Sequence, residues 1–218
     1  MSYAALSSGG KDSILAIQKA FDSDLDVKYI VTVRPRNPHS YMFHSANLNA
    51  VRLIAENSGI QYHEIYTDGE KEVELDDLRR GLHSLQVEGL ITGAIESVYQ
   101  RDRIAAITKD LGIQLVSPLW HMDPLKLMQE VASRLKALIV VVAADGLGEE
   151  LLGSLINESL ISKLLKIREK RHIHLAGEGG EYESLTLYAP FMKQEIVPLD
   201  PHIKSTAGRS ELIFGAFQ

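Results

Sequence analysis

The chain has 218 residues, 45% of them hydrophobic, with 23 Lys and Arg against 29 Asp and Glu and a formal net charge of -6. That length supports a buried core without staples, and the acidic balance gives the surface as a whole no attraction for nucleic acid. There is no cysteine, which excludes disulfides, zinc-thiolate centres, catalytic thiols and persulfide relays. No apolar run approaches the roughly 20 residues that cross a bilayer, and the first residues carry no basic leader, so a cytoplasmic protein with no membrane partner is expected.

In chain order, short runs rich in β-branched and apolar residues fall at 3–6, 27–33, 60–66, 90–92 and 113–116, and most of the stretches between them read as helix. Residues 45–56 place Leu48, Val51, Leu53 and Ile54 on one face, and 101–111 do the same with Ile104, Ile107 and Leu111. Strand and helix in alternation predict an α/β fold with a doubly wound, Rossmann-like parallel sheet, whose ligands bind beyond the carboxyl ends of the strands. After Pro118-Leu119-Trp120 the pattern changes to a helix over 124–135, a strand over 137–142, a helix over 157–171, a glycine-rich loop and strand-like segments to the end. The expected division is a nucleotide-binding domain over 1–121 and a smaller α+β substrate domain over 122–218.

Ser7-Ser8-Gly9-Gly10-Lys11-Asp12-Ser13 follows the first strand and opens a helix. Loop amides and a helix N-terminus can meet an anion there together. It lacks the four-residue spacer of a Walker A motif, and Asp12 stands where that motif has Ser or Thr. The bland alternative is a glycine-rich turn with Ser and Asp as caps.

The loop resembles the SGGxDS loop of the N-type ATP pyrophosphatases, adenine nucleotide alpha hydrolase-like enzymes that adenylate an oxygen and release pyrophosphate. The resemblance implies that Ser7, Ser8, Gly9, Gly10 and Ser13 bind ATP phosphates, that Lys11 neutralises charge and that Asp12 positions Mg²⁺. Two further segments narrow it: Gly93-Ala94-Ile95-Glu96-Ser97-Val98-Tyr99-Gln100-Arg101-Asp102-Arg103, and Gly177-Glu178-Gly179-Gly180-Glu181-Tyr182-Glu183-Ser184. In this order, with Pro118-Leu119-Trp120 between them, they resemble the diphthine-ammonia ligase family in its compact archaeal form. That implies an ATP-dependent ligase amidating diphthine, a modified histidine on translation elongation factor 2, with ammonium as nitrogen donor and AMP and pyrophosphate as products. The family commonly has Val-Glu where this chain has Ile104-Ala105, and often Arg where it has Ser154.

Without cysteine the chain holds no glutaminase of the common type, so ammonia comes from solution or a partner. Diphthine carries a trimethylammonium group, suited to aromatic faces and diffuse negative charge. Glu178, Glu181, Tyr182 and Glu183 offer both; the competing reading makes those glutamates magnesium ligands or acceptors for loop amides. Arg101 and Arg103, beside Tyr99, could hold a carboxylate or the α-phosphate. Ser97 and Gln100 match a helix capping box, and for Gln100 a catalytic role stands evenly beside that reading. His44 sits in a segment that could approach the nucleotide. His172 and His174, two apart as on one strand face, have no third ligand nearby and read as solvated surface. The apolar stretch 212–217 fits a buried strand or a homodimer contact. Two other functions remain: a tRNA-modifying adenylating enzyme, which would need a basic path, and a nucleotide-binding module without chemistry.

Overall fold

The computed structural model describes residues 2–36, 46–69 and 73–218. Its first five strands, β1 (Ser2–Leu6), β2 (Asp26–Pro35), β3 (Gln61–Thr67), β4 (Gly89–Ile91) and β5 (Gln114–Val116), form one sheet in the order β3-β2-β1-β4-β5. All four pairings are parallel. Between them run α1 (Lys11–Asp22), α2 (Asn49–Ser58), α3 (Val73–His83) and α4 (Val98–Leu111).

Period-two alternation decides which helices lie on which face. Tyr3 and Ala5 share a core with Ile14 and Ile17 of α1 and Ile54 of α2. Ala4, between them, points the other way and joins Leu78 and Leu82 of α3 with Ile104 and Ile107 of α4. The sheet is therefore doubly wound, as expected. Because the chain goes from β1 out to β3 and then returns to the other side of β1, the topological switch lies between β1 and β4, where ligands of such sheets bind.

Beyond β5 come α5 (Pro124–Arg134), β6 (Lys136–Val142), α6 (Glu158–Arg171), β7 (Tyr182–Tyr188), β8 (Pro198–Thr206) and β9 (Arg209–Phe217). Asp123 caps α5 by accepting from the Lys126 amide at 2.9 Å, with Pro124 at the first helical position. Asn157 caps α6 through the Leu160 amide at 3.0 Å. The four strands make a second, antiparallel sheet in the order β7-β6-β9-β8. Leu127 and Val131 of α5 and Ile139 of β6 belong to the same core cluster as α1 and α2, so this part buries its apolar side against one face of the parallel sheet.

The sequence-derived elements recur with shifts of up to four residues at their ends. The largest is α2, which starts at Asn49 rather than 45. The 212–217 stretch is a strand, with Leu212 and Phe214 buried. Among the described residues no helix is long and apolar enough to cross a membrane.

Candidate active site

A cavity of about 240 Å³ opens at the switch point. One wall is the loop after β1, with Ser7, Ser8, Asp12 and Ser13; the other is the loop after β4 and the start of α4, with Thr92, Gly93, Gln100 and Arg101. Glu178, from the segment between α6 and β7, closes part of it.

The loop is held from within and from behind. Ser7 Oγ accepts from the Gly9 amide at 3.0 Å and shares a hydrogen bond with Ser13 Oγ at 2.9 Å, while Thr32 donates to the Ser7 carbonyl at 3.0 Å. Gly9 has φ +80°, which favours glycine. Its carbonyl accepts from the Thr186 amide of β7 at 2.9 Å. A Cβ on Gly10 would lie 3.3 Å from the Ser184 carbonyl. The two glycines thus admit β7 against the loop. The Lys11 amide, first in α1, donates to Ser184 Oγ at 3.0 Å. The amides of Asp12 and Ser13, also in the first turn, have no intrahelical acceptor and begin a helix beside the cavity.

Lys11 does not line the cavity. Its side chain is 3% exposed and Nζ bonds both oxygens of Asp12, at 3.0 and 2.8 Å, and the Ala176 carbonyl at 2.6 Å. It lies 5.3 Å above the Tyr182 ring. The ammonium faces the second part of the molecule, and it is Asp12 that lines the cavity.

Helix α4 divides the motif residues between two surfaces. Gln100, Arg101 and Ile104 line the cavity; Tyr99 and Arg103 instead line a separate groove with Leu75 and Arg79 of α3. Arg103 stacks on the Tyr99 ring at 4.4 Å. The Arg101 guanidinium lies 4.6 Å from the Trp120 ring centroid, and its Nε is buried without a hydrogen-bond partner among the described residues. Ser97 caps α4 by accepting from the Gln100 amide at 3.4 Å, but the Ser97 amide donates to Glu178 rather than to the Gln100 side chain, so half of the capping box forms; Gln100 lines the cavity.

The three glutamates of the glycine-rich segment part company. Glu178 Oε1 accepts from the amides of Glu96 and Ser97 at 3.2 and 3.0 Å, tying the second part to the loop after β4. Glu181 turns back on its own segment and accepts from the His174 amide at 2.7 Å. Glu183 lies on the opposite face of β7 and pairs with Arg209 at 2.8 Å. Tyr182 is not an open aromatic face: it is 3% exposed, its hydroxyl donates to the Leu175 carbonyl at 2.7 Å, and burial pushes that hydroxyl well above its ordinary value. His44 lies outside the described residues. His172 caps α6 with φ 53°, and His174 is in the following turn, where Nδ1 accepts from the Glu178 amide at 3.2 Å; they share no strand.

The family model for the diphthamide synthase N-terminal domain matches residues 1–115, and the model for the C-terminal domain matches 123–206. A mouse diphthine-ammonia ligase is 33% identical over 90% of this chain and 82% of its own. This chain belongs to the diphthine-ammonia ligase family. It is accordingly a ligase. The human member is 31% identical over 90% of this chain and 82% of its own; the fission-yeast member is 33% identical over 93%, but the match spans 37% of that longer protein. A solved structure described as a predicted subunit of a tRNA methyltransferase from Methanocaldococcus jannaschii aligns at TM-score 0.48 and 16% identity, over 89% of this chain and 99% of that one.

Beyond the site residues expected from the sequence, the structure adds Ser184 and the Ala176 carbonyl, which hold the loop from behind. Ser184 closes the motif that flagged its neighbours, and its place one step from Tyr182 in strand alternation was the available signal. A main-chain carbonyl carries no such signal.

Proposed function

We propose that the cavity binds ATP and that the enzyme adenylates the carboxylate of diphthine on translation elongation factor 2, then transfers ammonia to give diphthamide, AMP and pyrophosphate. One observation carries this reading: in a member of this ligase family, a phosphate-type loop and an arginine with an orphaned buried Nε form two walls of the same cavity.

A carboxylate resists ammonia because its oxygen is a poor leaving group. Attack by that oxygen on the α-phosphorus expels pyrophosphate and makes AMP the leaving group; ammonia then attacks the acyl carbon, AMP departs, and the nitrogen gives up a proton. The amides of Asp12 and Ser13 and the hydroxyls of Ser8 and Ser13 hold the β- and γ-phosphates. Arg101, seated on Trp120, meets charge developing on the α-phosphate. Glu178 helps close the cavity and ties the second part of the molecule to its wall.

Among the described residues no group of three or more His, Cys, Asp and Glu forms a metal cage. Asp12 at the cavity wall nevertheless fits Mg²⁺, which commonly takes one or two carboxylates and completes its shell with phosphate oxygens and water. Such an ion would shield the leaving pyrophosphate.

The test is AMP and pyrophosphate formation from ATP and ammonium, with and without diphthine-bearing elongation factor 2, beside Asp12→Ala. Release that needs both co-substrates and drops at least about 100-fold in the variant is expected. Turnover without factor dependence points to another acceptor, a tRNA among them; binding without turnover points to a nucleotide-binding module.

A further inference from the structure

We propose that Lys11 is a positioning residue rather than a phosphate ligand: it aims the Asp12 carboxylate, and segment 174–184 holds it in place to do so. This rests on the ATP-binding reading above. An ammonium has three N–H donors, and three oxygens accept from Lys11 Nζ: Asp12 Oδ1, Asp12 Oδ2 and the Ala176 carbonyl. The Tyr182 ring covers it at 5.3 Å. The side chain, 3% exposed, is absent from the cavity wall, and its contacts hold it on the side away from that wall. Reaching a phosphate would strip a buried carbonyl and a partly exposed carboxylate of their shared cation, at a cost set mainly by the carbonyl.

The seat is built from far away in the chain. Ser184 takes the Lys11 amide, Ala176 and Tyr182 take its ammonium, and none of the three touches the cavity. Asp12, 28% exposed on its side chain, is the only member of this network that lines it. Much of what the glycine-rich motif does for the phosphate loop therefore passes through one lysine.

The experiment is calorimetric binding of a non-hydrolysable ATP analogue, with Mg²⁺ and with EDTA, in about 0.3 M salt to screen long-range charge. Wild type, Lys11→Met, Asp12→Asn and the double variant are compared. Lys11→Met should weaken Mg²⁺-loaded binding roughly tenfold, the scale of one charge-assisted hydrogen bond. Metal-free binding should stay within about threefold of wild type, and the double variant should match Asp12→Asn, because residues acting as a unit are not additive. A loss of the same size in EDTA, or an additive loss in the double variant, would make Lys11 a phosphate ligand and overturn the proposal. A wild type that binds no analogue under either condition would remove the ATP reading itself. Should Lys11→Met fail to melt cooperatively, Ser184→Ala decides: a two- to threefold loss confined to Mg²⁺-loaded binding upholds the positioning role, on the scale of one neutral hydrogen bond, and unchanged binding overturns it.

Discussion

Two residues along an α-helix turn the side chain by about 200°, and that rotation sends Arg101 to the cavity and Arg103 to the groove against α3. Both arginines lie over an aromatic ring, Trp120 and Tyr99 respectively, but it is Arg101 that lines the cavity, with a buried Nε that has no hydrogen-bond partner among the described residues. Arg101→Ala should lower kcat for amide formation by about 100-fold, as loss of one transition-state donor does. Arg103→Ala should leave ATP KM within about threefold, and steady-state kinetics on the two variants separates the roles. Tyr182 makes the same point about local reading. Its neighbours in sequence are charged and glycine-rich, which suggested an exposed cation-binding ring, but strand alternation in β7 turns it inward under Lys11. The four-residue spacing of Tyr99 and Arg103 was there in the sequence to set the two on one helical face apart from Arg101, although all three were expected at one site. The inward turn of Tyr182 depended on which face of β7 meets α1, and that is a tertiary fact.

At the scale of elements, the site depends on two connections approaching one another at the sheet's edge. A Cβ on Gly93 would sit 2.7 Å from Asp12 C and Ser13 N and 2.9 Å from Asp12 O, all backbone atoms that cannot swing aside. Gly93→Ala should push the loop after β4 away from α1, weaken ATP binding by about tenfold and cost about 1–3 kcal/mol in unfolding free energy. Gly112→Ala is the control. Gly112 ends α4 with φ +67° and has nothing near its would-be Cβ, so alanine there should cost only about 1 kcal/mol and leave nucleotide binding unchanged. The five parallel strands and the helices α4, α5 and α6 were readable from apolar runs and caps because their signals are local. The requirement at Gly93 was not, since it arises from the packing of two loops some 80 residues apart.

For the molecule as a whole, the contact between the two sheets' layers includes a charged link at its rim. Arg134 at the end of α5 donates to both oxygens of Asp22 at the end of α1, at 2.6 and 2.9 Å. The hydrogen bonds from Arg134 hold the Asp22 carboxyl at about 2, below its ordinary 3.8. A depressed carboxylate contributes stability that is fully present above 3.8 and is lost as pH falls towards 2. Asp22 is 41% exposed, so solvent screening keeps that contribution under about 1 kcal/mol. Thermal melts of wild type and Asp22→Asn should therefore differ near neutral pH and converge as pH drops through that window. A gap that stays constant down to pH of about 2 would show that the pair adds nothing through its charge.

The span of the Lys11 network has a consequence for how the protein is made. Ala176 and Ser184 lie 165 and 173 residues beyond Lys11. At roughly 5–20 residues per second, a translating ribosome leaves the phosphate loop without these acceptors for about ten seconds or more. Throughout that interval the parallel sheet can pair its strands while the lysine's charge remains hydrated and Asp12 unaimed. Nascent chains stalled before residue 176 should resist protease over the first sheet yet hold Mg²⁺-loaded nucleotide at least about tenfold more weakly than the finished protein, so full affinity for ATP would arrive late in synthesis, as a by-product of the last third of the chain.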